Sequence, residues 1–213
     1  MKLFVPGRIC LFGEHSDWAG GYRRLNPELE KGHALIVGTD QGIRAAVGPH
    51  PDSLVLTSVL EEAGTQPHVV PMDGDALLRE ALEGGFWSYV AGVALRILQK
   101  RSTGGLVLDN YAMDLPPQKG LSSSAAVCVL TARAFNRLYS LGLTTEEEME
   151  IAYQGEIATP SRCGRMDQGC AFGRRPIRMT FDGDSLEVSE IRPGGDVFLL
   201  IVDLKASKAS KNL

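Results

Sequence analysis

Apolar residues along this chain recur with two different spacings, and each spacing predicts its own kind of element. Short apolar runs separated by glycine, proline and aspartate are typical of strands joined by tight turns. They predict strands over residues 2–13, 34–37, 42–47, 53–60, 68–71, 105–113, 177–181, 185–191 and 197–203. The close spacing of the early strands indicates a sheet built from hairpins. The last run is continuously apolar, so we expect it to be buried on both faces.

Residues 86–100 show the spacing of a helix with one buried face. Phe86, Val90, Val93 and Ile97 fall on the same side, and Trp87 widens the apolar stripe. Buried aromatic stripes of this kind are usual in globular proteins. We therefore interpret these aromatic residues as part of the core and not as a ligand platform.

Two further helices are predicted after the strand at 105–113. An almost uninterrupted apolar segment covers residues 125–138. The next helix begins with Thr144 and Glu147, which fit a capping box, and acidic residues in its first turn suit the helix dipole. It is expected to run to about residue 159, because Pro160 cannot continue a helix.

Composition and charge narrow the class of protein. The chain has 213 residues, of which 44% are hydrophobic and 23% charged, as in soluble globular proteins. A net charge of −4 gives no general attraction to nucleic acid or to a membrane surface. The N-terminus reaches Pro6 too soon for a signal peptide, and the four cysteines lack the spacing of metal ligands. We therefore expect a cytoplasmic protein with reduced thiols and no membrane or nucleic-acid partner.

A glycine followed by serines precedes the apolar helix at 125–138. Gly120 permits a sharp bend, and Ser122, Ser123 and Ser124 lie where a helix begins. The unpaired N–H groups of a first helical turn attract anions, so this stretch is a candidate triphosphate-binding loop. Clustered hydroxyls could also hold a metal ion that accompanies phosphates. The alternative is an ordinary capped helix, and this stretch alone does not decide between the two.

A second polar stretch lies between glycines near the N-terminus. Glu14, His15 and Asp17 occupy one turn, between Gly13 and Gly20. An imidazole between two carboxylates offers many hydrogen-bonding groups in a small space, which suits a polyhydroxyl ligand. The alternative is a solvated turn, where aspartate and glycine are common.

Two more carboxylates are candidates for chemistry. Asp167 lies in a glycine-flanked turn close to Arg162 and Arg165, and a nearby arginine would hold a carboxylate ionised, as a general base requires. Glu156 lies near the end of the helix that begins at Thr144. A carboxylate is disfavoured there by the helix dipole, so a bound cation would explain it, although a solvated glutamate is the commoner case.

Three motifs in fixed order resemble those of the GHMP small-molecule kinases, and most of all galactokinase and related sugar 1-kinases. The motifs are Pro6-Gly7-Arg8 continuing into residues 13–21, then residues 120–126, and then Cys163-Gly164-Arg165-Met166-Asp167-Gln168. Chance agreement of all three is far less probable than of any one. The resemblance implies an α+β fold of the ribosomal-protein-S5-domain-2-like type, with a mixed sheet and helices on one side.

The resemblance also implies a role for each matching residue. Asp167 is expected to accept or orient the proton of the attacking sugar hydroxyl, and Arg8 to stabilise charge beside it. The sugar would be bound by Glu14, His15, Asp17 and Gly164. The ATP phosphates would be wrapped by Lys119, Gly120, Leu121, Ser122, Ser123 and Ser124. Magnesium would be held by Ser124 and Glu156, so the expected cofactors are ATP and Mg²⁺.

The chain also departs from this family. Family members are much longer, so residues 1–203 are expected to form the N-terminal, ATP- and sugar-binding domain, with 204–213 as a truncated tail. The C-terminal lobe would be missing, or supplied by a separate chain, and we expect this chain alone to be weakly active and marginally stable. Residues 23–32 differ from galactokinase, and Arg23 and Arg24 could receive an acidic sugar or be solvated.

The resulting hypothesis is a kinase that phosphorylates a monosaccharide hydroxyl, at the anomeric position in the galactokinase-like reading. Two alternatives stay open. One is a galactokinase-like sensor that binds sugar and nucleotide without turnover, against which intact Arg8 and Asp167 argue. The other is a kinase for a non-sugar alcohol such as mevalonate, against which the glycine-rich turn around Asp17 argues.

Overall fold

A computed structural model describes residues 1–60, 63–115, 120–161, 163–195, 198 and 200. Lys119, the tail at 204–213 and most of the predicted strand at 197–203 lie outside the described residues. None of the helices in the described part of the chain has the length and apolar character of a membrane span.

The described residues form an α+β fold. The strands are β1 (Lys2–Phe12), β2 (Gly32–His50), β3 (Ser53–Ser58), β4 (His68–Pro71), β5 (Gly105–Met113), β6 (Ile177–Asp182) and β7 (Ser185–Glu190). The α-helices are α1 (Ser16–Gly21), α2 (Gly74–Glu83), α3 (Ser88–Lys100), α4 (Ser123–Leu138) and α5 (Thr145–Glu156). Short 3₁₀ helices cover Tyr22–Arg24 and Asp167–Phe172.

The strands form a mixed, seven-stranded sheet, which confirms the expected fold class. Its order is β4-β3-β5-β2-β6-β7, and β1 pairs with β2. β3 and β5 are parallel, whereas the other neighbouring strands are antiparallel. The sheet is therefore not built from hairpins alone.

The two strands predicted at 34–37 and 42–47 are one continuous strand, β2, so that part of the prediction is wrong. Gly38 was interpreted as part of the break between the two strands, and Gly42 as the start of the second. In the structure both glycines allow another backbone segment to come close. A Cβ at Gly38 would lie 2.1 Å from the carbonyl oxygen of Gly173, which follows the 3₁₀ helix Asp167–Phe172, and one at Gly42 would lie 2.4 Å from that of Val5 in β1. A glycine inside a strand often marks such a close approach.

Helices α1 and α2 were not predicted. Residues 16–21 were interpreted as a turn because serine, aspartate and glycine dominate them, yet they form a short helix. α2 begins at Asp73, whose carboxylate accepts hydrogen bonds from the backbone N–H groups of Asp75 and Ala76. Recognising Asp73 as an N-cap could have revealed this helix from the sequence.

The core lies between the helices and one face of the sheet. α4 packs against β1 and β2, and also against α3 and α5. Val5, Ile36 and Ile43 from the strands and Leu130 and Phe135 from α4 are among the buried residues. On the alternate positions of the strands Val69, Val107 and Tyr111 are exposed. This packing brings the start of α4 close to β1, where the candidate site lies.

Candidate active site

The N-terminus of α4 carries no capping side chain. Ser122 adopts a left-handed backbone conformation, with φ 58°, and makes no side-chain cap hydrogen bond. Its buried Oγ has no hydrogen-bond partner among the residues that the structure describes. By contrast, α5 has a complete capping box formed by Thr144 and Glu147, as predicted. The first turn of α4 is therefore open to a ligand with negative charge. This favours an anion-binding site at the N-terminus of α4, called the anion seat below, over an ordinary capped helix.

A cavity of about 420 Å³ opens in front of this helix start. Its wall includes the loop residues Gly120, Leu121, Ser122, Ser123 and Ser124, together with Arg8 and Asp167. The structure therefore brings the second motif together with residues of the first and third motifs. A more open groove of about 520 Å³ between α2 and α3 contains none of the predicted site residues.

Aromatic side chains form another part of the cavity wall. Phe86, Trp87 and Tyr89 all line it, at the start of α3. Trp87 is only 6% exposed, but the buried Nε1 of its indole has no hydrogen-bond partner. The interpretation of these residues as core alone is thus incomplete, because they also face the cavity. Helical periodicity could not show this, since Trp87 lies at the N-cap, outside the regular stripe.

Arg8 and Asp167 form a direct ion pair. Arg8 Nε donates to Asp167 Oδ1 over 3.0 Å, and Nη2 of the same guanidinium donates to the same oxygen. Arg8 is 6% exposed, and burial alone would lower its pKa, but the charges of Asp167 and Glu14 raise it. Arg8 is thus the cationic partner of Asp167, as the resemblance implied, whereas local spacing had pointed to Arg162 and Arg165. Arg165 pairs with Glu150 instead, and Arg162 lies outside the described residues.

The pairing of β1 with β2 is irregular beside Arg8. Pro6 is paired with Gly42 and Arg8 with Gly38, so β2 carries two extra residues at this point, which is the signature of a β-bulge in β2. A Cβ at Gly7 would lie 2.8 Å from the carbonyl oxygen of Leu121, and the N–H of Arg8 donates to that same carbonyl over 3.3 Å. The first motif is therefore in direct backbone contact with the loop before α4.

The loop after β1 brings Asp17 to the third motif. Asp17 Oδ2 accepts a hydrogen bond from the backbone N–H of Met166 over 3.2 Å. Burial raises the pKa of Asp17, and its hydrogen bonds to Met166 and Trp18 oppose that rise. Glu14 lies 3.8 Å from Arg8 and is exposed, as is His15, whose φ of 66° is unusual for a residue with a side chain. Strained backbone of this kind is common in ligand-binding loops.

Gly164 is required because the Asp17 carboxylate occupies the space of a side chain. A Cβ at residue 164 would lie 1.7 Å from Asp17 Oδ2. We therefore predict that Gly164→Ala displaces Asp17 and lowers the free energy of unfolding by about 1–3 kcal/mol, the usual cost of overpacking. Denaturant unfolding measures this. Gly74→Ala is the matched control, since a Cβ there meets no atom within 4 Å; an equal loss in both variants would contradict the prediction.

Glu156 is a buried carboxylate at the end of α5. It is 1% exposed, and burial raises its pKa to about 7, while hydrogen bonds from Ser124 and Gln168 partly offset this. Gln168 Nε2 donates to Glu156 Oε2 over 2.8 Å, and the buried Gln168 Oε1 has no partner. Within the described residues no lysine or arginine forms an ion pair with Glu156. The sequence analysis did not identify Gln168, although it follows Asp167 directly in the third motif.

These donors fit magnesium accompanied by phosphate. Within the described ranges no group of three or more histidine, cysteine, aspartate or glutamate side chains could hold a metal ion alone. Mg²⁺ commonly takes one or two carboxylates and completes its shell with water and substrate phosphate oxygens. Glu156, the Ser124 hydroxyl and the unpartnered Gln168 Oε1 offer hard oxygen ligands next to the proposed anion seat.

Arg23 and Arg24 are already paired within the chain. Arg23 Nε lies 2.6 Å from Asp182 Oδ1, and Arg24 Nη1 lies 3.2 Å from Asp184 Oδ1. Hydrogen bonds to Arg23 and Lys31 lower the pKa of Asp182. The structure therefore gives no support to the idea that these arginines receive an acidic sugar.

The fold and this arrangement define a class of protein, and comparison with known families agrees. Residues 88–174 match the family model described as the GHMP kinases N terminal domain. This match confirms the resemblance of the chain to the GHMP kinases.

Individual relatives include galactokinases. The galactokinase of Thermotoga petrophila is 30% identical over 190 residues, which cover 88% of this chain and 48% of that protein. The crystal structure of Lactococcus lactis galactokinase complexed with galactose has a TM-score of 0.71 at 21% identity, covering 89% of this chain and 46% of that one. Methanococcus jannaschii mevalonate kinase has a TM-score of 0.67 at 16% identity, covering 91% and 56%. The chain therefore spans about half the length of the curated relatives it matches.

Proposed function

We propose that this chain is the nucleotide- and acceptor-binding domain of an ATP-dependent kinase that phosphorylates a hydroxyl group of a monosaccharide. The observation that carries the proposal is the Arg8–Asp167 ion pair. Both residues line the cavity in front of the uncapped α4. The Asp167 loop, residues 163–168, also binds Asp17 of the acceptor loop, residues 13–21, through the backbone N–H of Met166. A phosphate donor and a polyhydroxyl acceptor would thus meet at one carboxylate.

The N-terminus of α4 would bind the phosphates of ATP. The free N–H groups of its first turn, the partial positive charge there and the unpartnered Ser122 hydroxyl would hold the terminal phosphates of ATP. Phosphoryl transfer needs in-line positioning and neutralisation of phosphate charge more than covalent chemistry. Arg8 lies at the same cavity and would stabilise charge that develops during transfer.

Asp167 and the loop after β1 would bind the acceptor. Asp167 would take the proton of the attacking hydroxyl, a role that suits a carboxylate kept in place by Arg8. Asp17, Glu14 and His15 would bind further hydroxyl groups of the acceptor. Because Arg8 is paired with Asp167, and Arg23 and Arg24 with other aspartates, the site favours a neutral acceptor over an acidic one.

Glu156 and Ser124 would hold a magnesium ion beside the phosphates, with Gln168 orienting the Glu156 carboxylate. The ion would neutralise phosphate charge when bound. The galactokinase relatives support a sugar as the acceptor, and we extend the proposal to the anomeric hydroxyl on that basis.

A panel of neutral monosaccharides, sugar acids and mevalonate tests this function when the kinase that contains this domain is assayed with Mg²⁺-ATP and coupled detection of ADP. We expect ADP release that depends on a neutral monosaccharide, and a product that no longer has a reducing end. Turnover with mevalonate alone would overturn the choice of acceptor. Nucleotide binding without ADP release from any acceptor would favour a sensor over a kinase.

A further inference from the structure

We propose that Arg165 is a positioning residue that keeps the acceptor-binding Asp17 and the carboxylate of Asp167 in a fixed relation. The inference rests on the function proposed above, because that function makes both carboxylates part of one site. It assigns a role to a residue that neither contacts the cavity nor pairs with Asp167.

The residues around Arg165 make every contact between the acceptor loop and the Asp167 loop described above. Gly164 packs directly against the Asp17 carboxylate, and Met166 donates its backbone N–H to it. Asp167 is bound by Arg8. A shift of this short backbone segment would therefore change the distance between Asp17 and Asp167.

The Arg165 side chain anchors that segment to two other elements. Its Nη2 donates to Glu150 Oε1 of α5 over 3.2 Å, and its guanidinium lies 5.0 Å from the centroid of the Tyr153 ring. Its Nη1 donates to the carbonyl oxygen of Asp184, in the turn between β6 and β7, over 2.5 Å. The planar guanidinium can make these contacts together, which the single ammonium group of a lysine cannot.

The turn between β6 and β7 also anchors the segment that follows the acceptor loop. Arg23 and Lys31 both pair with Asp182, at distances of 2.6 and 2.9 Å. The N–H of Gly183 donates to the carbonyl oxygen of Gly20, at the end of α1. The turn between β6 and β7 thus contacts the acceptor loop through Gly20 and the Asp167 loop through Arg165.

Hydrogen–deuterium exchange tests this arrangement without relying on turnover. In Arg165→Gln we expect faster exchange in the peptide covering residues 163–168, where the Met166 amide is bonded to Asp17. Arg174→Gln is the matched control, because Arg174 also pairs with an aspartate, Asp40, and lies over an aromatic ring, that of Phe4. Unchanged exchange in Arg165→Gln, or equal acceleration in both variants, would overturn the proposal.

Steady-state kinetics test what the positioning role of Arg165 contributes to the reaction. We expect kcat/KM for the acceptor to fall by about tenfold to a hundredfold in Arg165→Gln, as for a small misplacement of reacting groups. The KM for ATP should stay within about twofold, and Arg165→Lys should recover part of the loss because it keeps the charge near Glu150. A parallel loss of ATP affinity, or acceptor kinetics like those of the unaltered protein, would contradict the positioning role.

The two experiments separate this inference from the proposed function. An unaltered protein that phosphorylates no acceptor would refute the function, and the exchange measurement would still decide whether Arg165 holds the segment.

Discussion

Replacing Asp167 with asparagine is expected to lower the rate of phosphoryl transfer by about 10²- to 10⁴-fold, the usual contribution of a positioned general base. An amide cannot take the proton of the attacking hydroxyl, and it leaves Arg8 without its carboxylate partner. The KM for ATP should change little, because the anion seat at α4 does not involve Asp167. Initial rates of ADP release, with a neutral monosaccharide as the acceptor, measure the effect.

A control is needed because Arg8 is buried. Removing one partner of a buried ion pair can destabilise a protein by about 3–5 kcal/mol, so unfolding could mimic a catalytic loss. Denaturant unfolding at the assay temperature shows whether Asp167→Asn is folded under the conditions of the assay. Asp40→Asn removes a carboxylate from the exposed pair with Arg174 and should retain full activity. Near-normal turnover by folded Asp167→Asn would refute the role of Asp167.

Replacing Glu156 with glutamine is expected to make the metal-free protein more stable while lowering its activity. Burial raises the pKa of Glu156 from 4.5 to about 7. This difference corresponds to at most about 3 kcal/mol of unfolding free energy, because each pKa unit is worth about 1.4 kcal/mol. Glutamine has a similar shape, needs no ionisation and can still accept the hydrogen bond from Gln168.

The sign of the pH dependence follows from the raised pKa. Between pH 4.5 and about 7 the unfolded state loses the Glu156 proton while the folded state retains it, so the unaltered protein loses stability as the pH rises. The stabilisation by Glu156→Gln should therefore be small near pH 5 and largest above pH 7. Urea unfolding at both pH values, in the presence of a chelator, measures it. A stability difference that does not change with pH would contradict the argument.

Glu148 provides a matched control for this variant. It is also a buried glutamate of α5, but it accepts a hydrogen bond from Arg133 Nε over 2.8 Å and another from Asn136 over 2.8 Å. Glutamine at position 148 would leave the half-buried Arg133 without a charged partner. We expect Glu148→Gln to destabilise the protein, the opposite of the effect at Glu156. Of these two glutamates, Glu148 has a cationic partner, whereas Glu156 has none among the residues that the structure describes.

Local sequence signals predicted the regular elements well where their causes are local. The capping box of Thr144 and Glu147 is present as expected, and strands β4 and β5 have the predicted limits. Such signals succeed because a cap or an alternating strand depends on residues only a few positions apart. They failed at the break expected within β2, because a glycine such as Gly38 can serve a turn or a close contact with a distant part of the chain.

In the candidate site, too, the sequence predicted local features but not contacts between distant residues. The ordered motifs were enough to name the family and to propose Arg8, Asp17, Asp167 and Glu156 as functional residues. They could not show that Trp87 faces the cavity, because Trp87 lies at the N-cap of α3, where helical periodicity does not define which side is buried. Local spacing pointed to Arg162 and Arg165 as partners of Asp167, whereas the motifs implied Arg8. In the structure the partner is Arg8, 159 positions away.

By itself, the sequence determined the resemblance to the GHMP kinases, the α+β class and the candidate site residues, because motif order and local periodicity are properties of neighbouring residues. Only the tertiary structure decided which of these residues meet. Arg8 lies beside a bulge in β2 and pairs with Asp167, Gly164 has no side chain and so admits the Asp17 carboxylate, and burial at the end of α5 raises the pKa of Glu156. Strand register, close packing and desolvation each depend on residues far apart in the chain.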